Sequence, residues 1–264
     1  MSALLQMDRL ITRTTPDSRT PWGSEEWVYS LGDEFPSRLG SGAFEGDPSL
    51  LVKVLTARER LSLQIHPPLD QGGKTEAWVV LNAAPDAGVW LGFRDGVDAT
   101  AVREAVSRGS VEPLLRWVPL KAGDVVDIPT GTPHAVGAGL TLLEPQRLGP
   151  SGVGVTLRYW DWARLFDGAP REVHLEQALA ATRWEQPPPP RAFGVGRSSG
   201  SARLTPLVEG DLQVWRLEGT GRVALPPARC VWVARGAVDG LGPGEAGVPG
   251  GDVVLDQAVA YLCA

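Results

Sequence analysis

The chain has 264 residues, 43% of them hydrophobic and 21% charged, with a formal net charge of −6. This is the composition of a globular protein with a sizeable core, and its acidic balance argues against a nucleic-acid partner. No run reaches the ~20 apolar residues that span a bilayer, Asp8 and Arg9 interrupt the apolar N-terminal stretch, and Cys230 and Cys263 are too few for a disulfide framework, so no membrane partner and a cytoplasmic location are expected.

Glycine (32) and proline (23) are scattered along the chain, which suits a mainly β fold of short strands and tight turns. Short apolar runs read as strands over 50–55 (LLVKVL), 61–66 (LSLQIH), 77–83 (AWVVLNA) and 88–93 (GVWLGF). A helix follows over 98–109, with Asp98 as N-cap and Gly109 as its stop. Further strands are expected over 123–129, 140–145 and 155–162, then a second helix over 170–184 with Pro170 in its first turn. The four prolines in EQPPPPR (185–191) can continue neither a helix nor a sheet interior. They divide the expected organisation into a first domain (1–184), a linker (185–191) and a smaller β-rich domain (192–264). Across that linker there is a short echo, WVVLNAAPDAG (78–88) with WVARGAVDGLG (232–242) and KAGDVVDIP (121–129) with PGGDVVLDQ (249–257), and the second copy contains no histidine.

Residues two apart in a strand share a face, so Ser62, Gln64 and His66 form one set, and Lys74 and Glu76 another. A second histidine, His134, sits in IPTGTPHAVGAG. Two imidazoles and a carboxylate suit a divalent metal, zinc above all, and Gln64 could add a carbonyl oxygen. A histidine beside a strand is also commonly a hydrogen-bonded structural residue, and Lys74 and Arg158 would by default be solvated charges, so residue types alone leave both readings open. His174, in REVHLEQAL, reads as structural.

The ordered segments LSLQIHP, GKTEAWVVL, GDVVDIPTGTPHAVGAGLTLLEPQ and TLRYWDWAR resemble the signature of type I phosphomannose isomerases of the cupin superfamily. PWGSEEW upstream and REVHLEQAL downstream extend the resemblance over roughly residues 20–181. It implies a cupin-type jelly-roll barrel with a few helices and a second, smaller β-barrel-like domain. It implies one Zn2+ per chain held by Gln64, His66, Glu76 and His134, with Lys74, Glu144 and Arg158 as active-site residues and Ser62 at a position associated with the substrate phosphate. The expected activity is aldose–ketose isomerisation between mannose 6-phosphate and fructose 6-phosphate through an enediol, in a monomer or homodimer. Lys74 and Arg158 would supply positive charge for the phosphosugar, and Glu144, or else a zinc-bound water, would act as base. A non-catalytic sugar-binding cupin and an isomerase of another phosphosugar are the alternatives. Three features depart from the family pattern: the short loop between His66 and Glu76, the glycine-rich RLGPSGVGV before Arg158, and Leu157 where a tyrosine is usual.

Overall fold

The computed structural model describes residues 7–15, 20–32, 36–39, 46–150, 152–166 and 168–264; residues 1–6 of the N-terminal apolar stretch and Ser151 of the glycine-rich run lie outside them. Among the described residues the pairing is antiparallel throughout the three main sheets. A middle sheet of seven strands runs in the order Arg191–Ala192, Asp124–Ile128, Lys74–Ala83, Leu140–Leu148, Leu50–Ala57, Gly23–Tyr29, Arg13–Thr14. A five-stranded sheet, Leu157–Trp160, Leu63–Ile65, His134–Val136, Gly88–Phe93, Leu115–Pro119, packs on one face of it.

The alternation of side chains along a strand decides what each face buries. In Lys74–Ala83, Trp78 and Val80 point toward the five-stranded sheet and pack with Leu55, Val89, Leu91, Val136 and Leu142. Ala77 and Val79 point the other way, into a core shared with Val214, Trp232, Val259 and Tyr261 of a second seven-stranded sheet. That sheet is built mostly from residues 203–263, but the strand Asp8–Ile11 joins it through Ala246–Val248. Arg191–Ala192, just past the prolines, pairs in the opposite sense, onto Asp124–Ile128 of the middle sheet. The two strands of the sequence echo are antiparallel neighbours in both halves, yet Trp78 faces Val126 whereas Trp232 faces Tyr261 rather than Val254.

Two helices cover the outer face of the five-stranded sheet. The first, Ala99–Ser107, starts at Asp98, whose side chain accepts from the Ala101 N–H, and Gly109 follows with φ of 66°. The second is shorter than its apolar spacing predicts, Leu175–Ala181. Pro170 belongs to a two-residue strand pair with Leu165, residues 171–174 take no regular secondary structure, and the His174 N–H donates to the Arg158 carbonyl (2.7 Å). Hydrogen bonds to the Arg158 backbone, made by the His174 N–H and Nδ1, compete there with helix propensity. No helix among the described residues is long and apolar enough to cross a membrane.

Candidate active site

The face of the middle sheet that carries Trp78, Val80, Leu55 and Leu142 changes character toward one end. By the same alternation, Lys74 and Glu76 extend the Trp78 row, Glu144 and Gln146 the Leu142 row, and Lys53 the Leu55 row. All five are buried. Cross-strand register sets them side by side, with Lys53 opposite Glu144 and Gln146 opposite Glu76. From the facing sheet, Gln64 stands between His134 on one side and Arg158 on the other. One end of the interior is therefore polar, and the other is a closed apolar core.

His66, Glu76 and His134 converge there, with one ligand atom from each lying within 4.8 Å of the others. His66 Nε2 is 3.4 Å from Glu76 Oε2, and His134 Nε2 is 3.5 Å from Glu76 Oε1. Donors about 2.0–2.1 Å from one tetrahedral ion sit roughly 3.4 Å from each other, so the spacing fits zinc. Nδ1 of His66 donates to the Val155 carbonyl (3.0 Å) and Nδ1 of His134 to the Thr132 carbonyl (2.8 Å). These bonds fix the tautomer that leaves the Nε2 lone pair inward, the orientation a metal ligand needs. His66 Nε2 and Glu76 Oε1 are buried without a hydrogen-bond partner, and a cation is the group that would satisfy them. Gln64 lies against His134 Nε2 at 3.3 Å through its amide nitrogen, while its Oε1 accepts from Ser62 Oγ (3.1 Å). A half-turn of the amide presents Oε1 to the same point and leaves its NH2 to Ser62.

The charge states suit the same role. Burial pushes His134 down to about 4 against the pull of Glu76, and burial with Lys74 lowers His66, so both imidazoles are neutral at pH 7. Burial alone would raise Glu76, but the Lys74 ammonium (3.0 Å) holds its carboxyl well below the usual range. Neutral imidazoles and an ionised carboxylate are the forms in which these groups bind a metal. Gln146 also donates to Glu76 Oε2 (3.1 Å).

Beside this set opens a cavity of about 230 Å³, whose lining includes Ser62, Gln64, Lys74, Glu144 and Arg158. Glu144 accepts from Trp78 Nε1 (3.1 Å), and burial, followed by the Glu76 charge, pushes its carboxyl up to about 7 against Lys74 and Lys53. Arg158 is partly buried and faces the cavity, while its neighbour Tyr159 packs outward against Phe93. Every site residue singled out from the sequence is thus either in the three-residue cluster or on the cavity wall. His174 is not: its Nδ1 accepts from the Arg158 N–H (3.3 Å) and braces that strand. Arg147 and Arg164 are tied to Asp47 and Asp161.

Sequence reasoning missed Lys53, Glu25, Gln146 and Arg171. Lys53 Nζ is 3.2 Å from Glu25 Oε2 and 4.5 Å from the centre of the Trp27 ring. Its signal was a lysine on the inward parity of an apolar strand. Gln146 repeated the parity of Glu144. The short loop before Lys74 also has a physical basis. Gly73 sits so close to the Pro67 carbonyl oxygen that a Cβ there would lie 1.5 Å from it. In the glycine-rich run, a Cβ at Gly154 would press on the Lys74 stem at 3.0 Å, and the next residue, Val155, supplies the carbonyl that orients His66.

No protein-family profile matches the chain. It is 35% identical over 183 residues to the mannose-6-phosphate isomerase of Streptococcus mutans, covering 59% of this chain and 56% of that protein. It is 35% identical over 151 residues to a mannose-6-phosphate isomerase of Bacillus subtilis, covering 52% and 45%. The chain is homologous to mannose-6-phosphate isomerases. It spans about half the length of these curated isomerases. A crystal structure of the mannose 6-phosphate isomerase from Bacillus subtilis superposes with a TM-score of 0.76 at 20% identity, over 97% of this chain and 99% of that one. The Salmonella typhimurium isomerase bound to its substrate fructose 6-phosphate and to zinc superposes with a TM-score of 0.68 at 15% identity, over 97% and 99%. The fold is therefore the mainly β, cupin-type fold of the phosphomannose isomerases.

Proposed function

We propose that this protein is a zinc-dependent isomerase interconverting mannose 6-phosphate and fructose 6-phosphate. The observation that carries the reading is a three-point metal set with two unsatisfied buried donor atoms, opening beside a cavity that holds both a carboxylate and several cations. The homology and the relative bound to zinc and fructose 6-phosphate support it. Gln64, His66, Glu76 and His134 would hold one zinc per chain, and a zinc ion there would supply Lewis-acid stabilisation of the sugar oxygens.

The chain's own residues divide the remaining work. Aldose–ketose isomerisation moves a proton between C2 and C1 through an enediol, and the proton needs a base within reach of both carbons. Glu144 takes that role: it faces the cavity, and its raised pKa lets it accept and return a proton near neutrality. Lys74 and Arg158 offset the charge that develops on the substrate oxygens. Ser62 and Arg158 hold the phosphate, and the apolar floor around Trp78 keeps bulk water from the reacting carbons. A catalytic domain over 1–184, a linker over 185–191 and a supporting β-rich domain over 192–264 belong to the same proposal, as do a cytoplasmic setting and a monomer or homodimer. The test is to incubate zinc-loaded protein with mannose 6-phosphate and follow fructose 6-phosphate by NMR. Equilibration of the two sugars is expected, and an unchanged mannose 6-phosphate spectrum would exclude the reading.

A further inference from the structure

The cavity departs from the charge of the molecule that contains it. The chain carries a formal −6, yet the cavity wall carries Lys53, Lys74, Arg158 and Arg171 against only Glu25 and Glu144. The lysines have close carboxylate partners, Lys53 with Glu25 (3.2 Å) and Lys74 with Glu76 (3.0 Å). The arginines are less well matched. Among the described residues no carboxylate forms an ion pair with Arg158, and its Nε is buried without a hydrogen-bond partner. Arg171 has one acidic contact, Asp161, at 3.6 Å. The two guanidiniums repel one another, which with burial lowers the Arg158 pKa against the opposing pull of Asp161 and Glu172.

Holding two like charges on one wall costs free energy unless an anion joins them. The fold nevertheless fixes the second charge in place. Asp161 is 4% exposed and is itself bound by Arg164, which also reaches the Arg60 carbonyl (2.6 Å) and Glu59 (4.0 Å). The turn that follows has Trp162 and Ala163 at φ of 56° and 55°, a conformation non-glycine residues rarely adopt. The Trp162 indole N–H secures that turn by donating to the Leu61 carbonyl. Asp161 is thus set rigidly one strand end away from Arg158, and Arg171 is drawn against it.

We infer that Arg171 is the second guanidinium of an anion clamp which, with Arg158, grips the phosphomonoester of the substrate and so selects phosphosugars over neutral sugars. Planar guanidiniums bind phosphate oxygens in pairs, a geometry a lysine does not reproduce. This deepens the proposed isomerase reading and rests on it for the sugar, but not for the phosphate.

The test titrates inorganic phosphate into the zinc-loaded full chain by calorimetry, comparing the parent with Arg171→Gln, Arg171→Lys and the exposed control Arg103→Gln. Phosphate affinity should fall at least tenfold in Arg171→Gln, fall less in Arg171→Lys and stay unchanged in Arg103→Gln. Steady-state kinetics should show a KM for mannose 6-phosphate raised about tenfold in Arg171→Gln, with kcat within threefold of the parent. Parental phosphate affinity in Arg171→Gln, or no phosphate binding by the parent, overturns the clamp. If the glutamine variant does not fold, parental affinity in Arg171→Lys overturns it equally. Absence of turnover in the parent would refute the isomerase reading alone, because the phosphate titration still decides the clamp.

Discussion

Burial holds Glu144 at a cost to folding. Its folded pKa, about 7, lies above the ordinary 4.5, so the stability it contributes when protonated is lost as pH rises from about 4.5 through 7. Glu144→Gln removes that titration while keeping an acceptor for the Trp78 indole. In metal-free protein the stability difference should therefore move in the variant's favour by up to ~3 kcal/mol between pH 5 and pH 8, read from urea denaturation. Turnover of the same variant should fall steeply, and a fully active Glu144→Gln would remove Glu144 as the base. Arg158 makes the complementary case. Arg158→Lys keeps the charge but loses the planar fork, so kcat/KM should drop about a hundredfold while zinc content and melting temperature hold. Strand alternation puts Gln64 with His66 and Lys74 with Glu76 but leaves the metal and structural readings open; the set that adds His134 follows from the family resemblance. Lys53 and Arg171 were not legible: Lys53 reaches the site through its pairing opposite Glu144, and Arg171 lay in what read as the start of a helix.

At the scale of elements, the site depends on where strands begin. Lys74–Ala83 starts directly after Gly73, whose N–H donates to the Pro68 carbonyl (3.0 Å) and whose bare Cα lets the loop fold back on Pro67. Gly73→Ala forces that loop outward and shifts Lys74 and Glu76 with it. We expect a stability loss on the order of 3 kcal/mol or more and a clear fall in zinc affinity, measured by thermal melting and metal competition. A variant that keeps parental zinc affinity would show that the loop does not set the strand. The first helix was legible to within two residues because Asp98 and Gly109 mark its ends. The second was not, because its start is set by hydrogen bonds between His174 and the distant Arg158 backbone, which no local pattern records.

At the scale of the molecule, the middle sheet is shared: one face lines the site, and the other is covered by the sheet built mostly from residues 203–263. The mainly β character was legible from strand lengths and turn residues. The crossing of Asp8–Ile11 into the far sheet was not, since nothing local in four residues records a partner at 246–248. The region after the prolines contains no histidine, and its sheet packs against the face of the middle sheet that points away from the site. Alanine at Glu245, Asp252 or Asp256 should therefore leave turnover nearly unchanged; Glu245, paired with Arg9 (2.8 Å), should cost at most about 1 kcal/mol of stability. A large loss of turnover in a folded variant would give that region a catalytic part. If one zinc held by His66, Glu76 and His134 is needed for the proposed isomerisation, zinc titrated into chelator-treated protein will switch on turnover of mannose 6-phosphate. Turnover should be absent without metal, rise linearly and level off at one zinc per chain, a plateau that His134→Ala never reaches. Full turnover in metal-free protein, or a zinc-saturated chain that remains inactive, would contradict that requirement.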